Sequence, residues 1–261
     1  MSSIQFGVAA HPALQKFVAR VLRRSALGDE EQQAILQLPY RAVQVRAHTD
    51  IVAPGETVSH ATLVAKGLVA RIDQMRDGRR QVVAFHLLGD MCDLHSVVAP
   101  TAAWGISAIA PGTVLEIPHT QLRQLATSHP KIAMAFWREA VVDGSILAKW
   151  VGNLGRQDAR ARLAHLLCEM GLRLELVELG SRTCFALEAT QEQLADALGL
   201  TAVHVNRTMQ VLRHEGLIVT RSHTVEVVDW DRLADIAEFD PAYLLLNEAC
   251  PLPPQYRTAQ A

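Results

Sequence analysis

The chain has no closely spaced cysteines. Cys92, Cys168, Cys184 and Cys250 are its four, with no C-x-x-C among them, which excludes a zinc ribbon, an iron–sulfur spacing or a disulfide framework. Buried thiols are the expectation. No apolar run reaches the roughly eighteen residues that a membrane helix needs, and the first residues, MSSIQFGVAAHPALQKFVARVLRR, contain no basic leader followed by an apolar core. A cytoplasmic protein without a membrane partner is expected. A surplus of one charge is missing too. With a formal net charge of −2, any nucleic-acid contact must come from a local patch rather than the chain average.

Catalytic signatures are equally scarce. No H-x-H supplies the paired strand ligands of a metal-dependent β-barrel enzyme, no G-x-S-x-G marks a nucleophile, and no glycine loop is built to cradle phosphate. Ser96, Ser107 and Ser145 have no activating neighbours in sequence. Asp90, Cys92, Asp93 and His95 do cluster, but they mix hard and soft donors, so turn structure is the expectation and no metal is assigned. His48, His60 and His86 stand alone, outside any haem-attachment motif. No cofactor is expected. A β-barrel enzyme and a dimerisation scaffold that has lost DNA binding remain the competing classes.

What is present reads as a two-domain α+β protein, since 261 residues at 49% hydrophobic and 20% charged composition can bury two modest cores. Residues 12–23 and 29–38 carry helical spacing. From 41 to 117, short β-branched runs alternate with turn formers, the pattern of an antiparallel β-roll of jelly-roll type. Asp77-Gly78 is the strongest hairpin signal. From Pro130 a long helix follows, its stripe of Ile132, Phe136, Val142, Ile146 and Trp150 predicted to pair with a second copy. The expected division is a helical lead-in and β-roll over 1–128, a central dimerisation helix over 129–154, a DNA-binding domain over 155–240, and a tail over 241–261, disordered after Pro251.

The stretch LGLTAVHVNRTMQVLRHEGLI, residues 198–218, carries the functional signal. Upstream, Thr190 can cap a helix with inner residues Leu194, Ala195 and Leu198, and Gly199 makes a turn. The next helix turns Val205, Met209 and Leu212 inward at helical spacing, which leaves a second row of Val203, Asn206, Arg207, Gln210 and Arg213 outside. Two short helices joined at a glycine make a helix-turn-helix, whose second helix enters the major groove. LIVTRSHTVEVV then supplies a hairpin wing with Arg221, Ser222 and His223 at its tip. Thr190, Gln191 and Glu192 are placed near the DNA backbone, and Thr201, Ala202, Val203 and His204 at the leading end of the recognition helix. Residues 155–240 hold nine arginines against fourteen acids. DNA affinity must then rest on a few placed groups, chiefly Arg207, Arg213 and Arg221, and fall steeply with salt.

With DGRRQVVAFHLLGD in the β-rich part and TQEQLADALGLTAVHVNRTMQVLRHEGLI in the C-terminal part, the chain resembles the cyclic-AMP receptor protein/fumarate-nitrate reductase regulator (Crp/Fnr) family of bacterial transcription factors over about residues 41–229. The resemblance implies a cyclic-nucleotide-binding-like β-roll, a dimerising helix, a winged helix on double-stranded DNA, and RNA polymerase as a partner. Arg207 matches the family's recognition arginine, and Asn206 the serine or glycine before it. Val203 replaces a glutamate that reads cytosine, so a relaxed or thymine-favouring position is expected. Cys92-Asp93-Leu94 stands where cyclic-AMP-binding relatives have Gly-Glu-Leu, and Ala102-Ala103 where they have Arg-Ser. Without that arginine, cyclic AMP in the familiar mode is not expected. Arg79, Arg80, Gly89, Asp93, Leu94, Ala102 and Ala103 mark the candidate effector pocket, and the effector is not named by the sequence. The family's iron–sulfur members carry N-terminal cysteines, and none stands before Cys92 here.

Overall fold

The computed structural model describes residues 11–246, so the expectations for Cys250 and for the stretch after Pro251 lie outside the described residues. The first described elements are α1 (Pro12–Leu22) and α2 (Asp29–Leu36). Seven strands follow: β1 (Arg41–Val45), β2 (Asp50–Val52), β3 (His60–Lys66), β4 (Val69–Gln74), β5 (Arg80–His86), β6 (Gly105–Ala108) and β7 (Gly112–Pro118). They form two antiparallel sheets, ordered β1-β7-β3 and β2-β6-β4-β5, as the alternation of apolar and polar residues predicts. Asp77-Gly78 lies in the connection between β4 and β5, whose register runs from Val69 opposite His86 to Gln74 opposite Arg80. Gly78 takes a φ of 86°, which suits glycine, and Asp77 Oδ1 accepts from the Arg79 backbone N–H at 3.1 Å.

After α3 (His119–Ser128), α4 (Pro130–Arg156) runs for 27 residues. Pro130 opens it where a missing N–H breaks no bond. Its inner stripe corrects the sequence expectation. Ile132, Phe136, Val142, Ile146 and Trp150 are each at most 8% exposed within a single protomer, so they are not available to a second copy. Phe136 packs on Phe17 of α1 with ring centroids 6.1 Å apart, and Trp150 meets Phe85 of β5 edge-on at 5.9 Å. The physical reason is proximity in the chain: the β-roll and the C-terminal domain both leave apolar surface uncovered, and α4 lies against both. A different row of α4 faces outward. Met134 (61% exposed), Trp137 (67%), Val141 (46%) and Val151 (65%) lie along it, interleaved with the exposed small residues Gly144, Ala148 and Gly155.

The C-terminal domain comprises α5 (Ala159–Leu176), β8 (Gly180–Ser181), β9 (Cys184–Ala186), α6 (Gln191–Leu198), α7 (Ala202–His214), β10 (Ile218–Arg221), β11 (Thr224–Val227) and α8 (Trp230–Ala237). Its four strands form one antiparallel sheet, β10-β11-β9-β8. This domain is not a bead on a string. One apolar cluster runs from Ala70, Val82 and Phe85 of the β-roll through Ile146 and Trp150 into Leu163, Leu194 and Val205. Polar bonds cross the same junction, from Gln193 Nε2 to the Ile109 carbonyl at 3.2 Å and from Gln81 Nε2 to that of Ala197 at 3.3 Å. The start of the expected tail is also structured. Pro241–Leu244 forms a short 3-10 turn, with Leu244 fully buried and its carbonyl accepting from Arg24 Nε at 2.8 Å.

Candidate nucleic-acid interface

The pair α6 and α7 is set by local chemistry at both ends of the turn. Thr190 and Gln193 form a reciprocal capping box, with the Thr190 N–H donating to Gln193 Oε1 at 2.8 Å. Gly199 closes α6 in the left-handed conformation, at φ 61° and ψ 40°, a geometry favoured at helix C-termini. Thr201 caps α7 by accepting from the His204 N–H at 3.2 Å. Inside, Val205 and Leu212 are fully buried, Thr208 is buried and bonds back to the His204 carbonyl at 2.8 Å, and Met209 is half-buried.

The outer row lines an open groove of about 820 Å³ bounded by Gln191, Thr201, Ala202, Val203, His204, Asn206, Arg207 and Gln210. Val203 is 80% exposed. Arg207 is exposed. Asn206 Nδ2 donates to Gln191 Oε1 at 3.1 Å, and Gln210 Nε2 donates to Asn206 Oδ1 at 2.9 Å. Arg213 leans toward the wing, its Nη1 3.2 Å from Thr220 Oγ1. Thr190 and Glu192 are exposed beside Gln191 at the start of α6. At the wing tip Arg221, Ser222 and His223 are exposed, Ser222 in the left-handed region at φ 54°.

The acidic balance of this domain resolves into inside and outside. Arg173 is bound to Glu169 at 2.9 Å, Arg160 to Glu215 at 2.5 Å, and Arg182 to Glu175 at 2.6 Å. Arg162 Nη1 bonds the Leu198 carbonyl at 2.6 Å. Those arginines hold the domain together. Of the domain's other arginines, Arg207, Arg213 and Arg221 stand exposed along the groove and wing.

The candidate effector pocket is only partly where the sequence puts it. A cavity of about 220 Å³ lies between the β-roll and α4, with Arg20, Arg71, His86, Leu94, His95, Trp104, Asp143 and Arg173 among its walls. Of the seven expected residues, only Leu94 lines it. Arg79 is exposed and pairs with Asp77 at 2.7 Å, Arg80 bonds Ser107 Oγ at 3.0 Å, and Gly89 packs against the α1 backbone at Phe17. Ala102 and Ala103 lie off the wall, Ala102 engaged in backbone bonds with Glu56 and Gly55. The residue that sequence reasoning missed is Arg71. It is buried, bonded to Asp143 of α4 at 2.8 Å, and stacked over Trp104 with 5.0 Å between guanidinium carbon and ring centroid. The one available signal was a lone arginine in the apolar run GLVARID. The Asp90, Cys92, Asp93, His95 cluster is likewise taken up by structure. Asp90 pairs with Arg173 at 2.7 Å, Cys92 is buried with its thiol pushed well up by burial, and the His95 ring lies 5.3 Å from Trp104. Among the described residues no group of three His, Cys, Asp or Glu is placed to hold a metal.

Asp93 carries a prediction of its own. Its Oδ1 accepts from the Thr62 N–H at 2.6 Å, its Oδ2 has no hydrogen-bond partner among the described residues, and burial pushes its pKa up to about 7. Folding therefore favours the protonated acid. Its contribution is fully present below the unfolded pKa of roughly 3.9 and is lost as pH rises through about 7. Asp93→Asn removes that loss, which is on the order of 4 kcal/mol at most. Urea melts at pH 5.5 and pH 8 should show the variant gaining on the parent at the higher pH. An identical pH dependence in both proteins would contradict the assignment.

Comparison with known proteins matches the two parts separately. Residues 161–236 match the family model of a Crp-like helix-turn-helix domain, and residues 42–129 that of a cyclic nucleotide-binding domain. The chain is 27% identical over 219 residues to the transcriptional activator protein FnrL of Cereibacter sphaeroides, covering 81% of this chain and 86% of the relative. It is 27% identical over 214 residues to the probable transcriptional regulator Flp of Lacticaseibacillus casei, covering 81% and 93%. Among solved structures, that of FixK2 from Bradyrhizobium japonicum superposes with a TM-score of 0.69 at 26% identity, covering 76% of this chain and 96% of the other. Among the described residues no helix is long and apolar enough to cross a membrane.

Proposed function

From the premise that this chain is a Crp/Fnr-type transcriptional regulator with a helix-turn-helix DNA-binding domain, we propose that it reads an inverted repeat in double-stranded DNA as a homodimer, through the groove of α6 and α7. The observation that carries the reading is the outward row of Val203, Asn206, Arg207 and Gln210 on a helix that buries Val205, Thr208 and Leu212 on its other side. Guanine offers two major-groove acceptors to a guanidinium fork, and a thymine methyl is the natural neighbour of an exposed valine. The position of Val203 is then relaxed or thymine-favouring, and a selected site with a firm cytosine requirement there would contradict this. Thr190, Gln191, Arg213 and the wing tip at Arg221, Ser222 and His223 contact backbone phosphates, which fix register but carry no sequence.

The second copy binds the outward row of α4. Met134, Trp137, Val141, Gly144, Ala148, Val151 and Gly155 step by three and four, the repeat by which two helices seal a seam along their length. At Gly144 and Gly155 no described atom beyond the helix's own backbone and the adjoining residues lies within 4 Å of a Cβ position, so a second backbone can approach closely. A two-fold axis there presents two α7 helices to half-sites roughly 34 Å apart, one DNA turn. Residues 1–128 then form the effector-side domain, 129–154 the dimer helix and 155–240 the DNA-reading domain, acting in the cytoplasm without an enzymatic step and with RNA polymerase as the further partner. The cavity residues Arg71, Trp104 and Asp143 fill the wall between roll and helix, so an effector acts by changing the seat of α4.

Selection from random duplexes tests the whole reading. The parent should retrieve an inverted repeat with half-sites one turn apart. Trp137→Glu buries a charge in the seam twice per dimer. It should sediment as a monomer at micromolar concentration and lose the preference for paired half-sites. A parent that sediments as a monomer, or a Trp137→Glu protein that remains a dimer, rules out this face.

A further inference from the structure

We propose that Asn206 reads an adenine next to the guanine contacted by Arg207, and that Gln191 and Gln210 fix which way round its carboxamide faces the base. The inference rests on the DNA-binding reading above and adds a base identity and a device for presenting it.

Of the side chains that line the groove, the carboxamides carry a donor and an acceptor side by side in one plane. The adenine edge in the major groove is an acceptor, N7, beside a donor, N6, whereas guanine shows two acceptors. Chemistry therefore sorts the groove residues: guanidinium to guanine, carboxamide to adenine. Asn206 precedes Arg207 in the same helix, so the two bases are neighbours.

A free carboxamide can turn over, exchanging donor and acceptor, and then it discriminates poorly. Asn206 is not free. Its Nδ2 is engaged at 3.1 Å by Gln191 Oε1, and its Oδ1 at 2.9 Å by Gln210 Nε2, one helical turn further on. Each contact uses one of the two donors or one of the two acceptor sites, so one N–H and one lone pair remain for a base. The three amides form a directed chain, Gln210 to Asn206 to Gln191, and they reverse together or not at all.

DNA itself selects the direction. Gln191 is the first residue of α6, at the helix end where backbone phosphate is expected. Phosphate oxygens only accept, so Gln191 turns its NH₂ outward and leaves Oε1 to accept from Asn206, which is the direction observed. Backbone contact and base contact then favour the same orientation, and Gln191 is a positioning residue for Asn206. Hydrogen bonds between exposed side chains add little to stability, so loss of this chain should appear in base preference and not in folding.

The experiment is selection from random half-sites with the full-length parent, Asn206→Ala, Asn206→Asp, Gln191→Ala and Arg207→Ala, at one salt concentration, with melting curves for each protein. The parent should select adenine beside an Arg207-dependent guanine. Asn206→Ala should lower the adenine preference by roughly five- to hundredfold, the range of one bidentate pair, and keep the guanine. Asn206→Asp presents acceptors only and should move the preference toward cytosine, whose N4 donates. Gln191→Ala should weaken the adenine preference while leaving the guanine. An Arg207-dependent guanine without the adenine, or an adenine preference unchanged in both Asn206 variants, overturns this proposal alone. A parent that retrieves no motif, with Arg207→Ala indistinguishable from it, overturns the DNA reading as well.

Discussion

Arg207→Ala lowers affinity for the selected operator by roughly thirtyfold to twenty-thousandfold while the protein stays folded and dimeric. The range follows from about 1–3 kcal/mol for one arginine–guanine pair, counted once in each half-site, with about 1.4 kcal/mol to each factor of ten. Folding is spared because Arg207 is exposed on the outer side of α7, and surface changes of this kind stay within about 0.5 kcal/mol. Fluorescence anisotropy at fixed salt, on operator and on scrambled duplex, separates the two parts of the effect. Affinity for the operator should collapse toward that for the scrambled duplex, which itself loses only the share of one charge per protomer. Arg207→Lys keeps the charge without the planar fork and should recover scrambled-duplex binding but not discrimination. An Arg207→Ala protein that still prefers the operator as the parent does would remove α7 from base reading.

The helix-turn-helix was legible because the residues of α7 solve two problems on one short segment. Val205, Met209 and Leu212 answer the core, and the row beside them, too polar to be buried and too regular to be a loop, remains to be explained. Caps at Thr190 and Thr201 and the glycine turn at Gly199 are local, and local geometry is what a sequence records best. The same reasoning failed on α4 for a physical reason. That helix is apolar on two sides, and periodicity reports apolar character without saying which row is covered by its own chain. Ile132 and Trp150 are the stronger stripe, and the fold took them inside. Trp137 and Val151 were left out. The cavity beside α4 was illegible for a different reason: Arg71 meets Asp143 at 2.8 Å across a sequence separation that no spacing rule spans.

The largest effect on stability is expected at Asp90, where three parts of the chain meet. Its carboxylate pairs with Arg20 of α1 and with Arg173 of α5 at 2.7 Å, and accepts from the Leu87 N–H at 2.9 Å. Around it, Arg24 Nη1 lies 2.9 Å from Glu139 of α4, while Glu169 accepts from Trp150 Nε1 at 2.9 Å and from the Tyr243 hydroxyl at 2.8 Å. Burial, opposed by Glu139, pulls Arg20 down to a pKa of about 9, so at neutral pH it is still a cation and needs its carboxylates. Asp90→Ala leaves Arg20 with Glu139 and Arg173 with Glu169, each cation short of one of the two carboxylates it meets in this buried network. Breaking a buried pair from one side costs about 3–5 kcal/mol, and urea denaturation should show a loss of that size. The attraction itself is a smaller quantity, because desolvating both charges has already offset much of it. Arg173→Ala together with Asp90→Ala should therefore cost less than the two single changes added, as the second truncation removes a charge the first has stranded. Strict additivity would mean that the two side chains do not act on each other, and that this ion pair does not help to hold α5 against the β-roll.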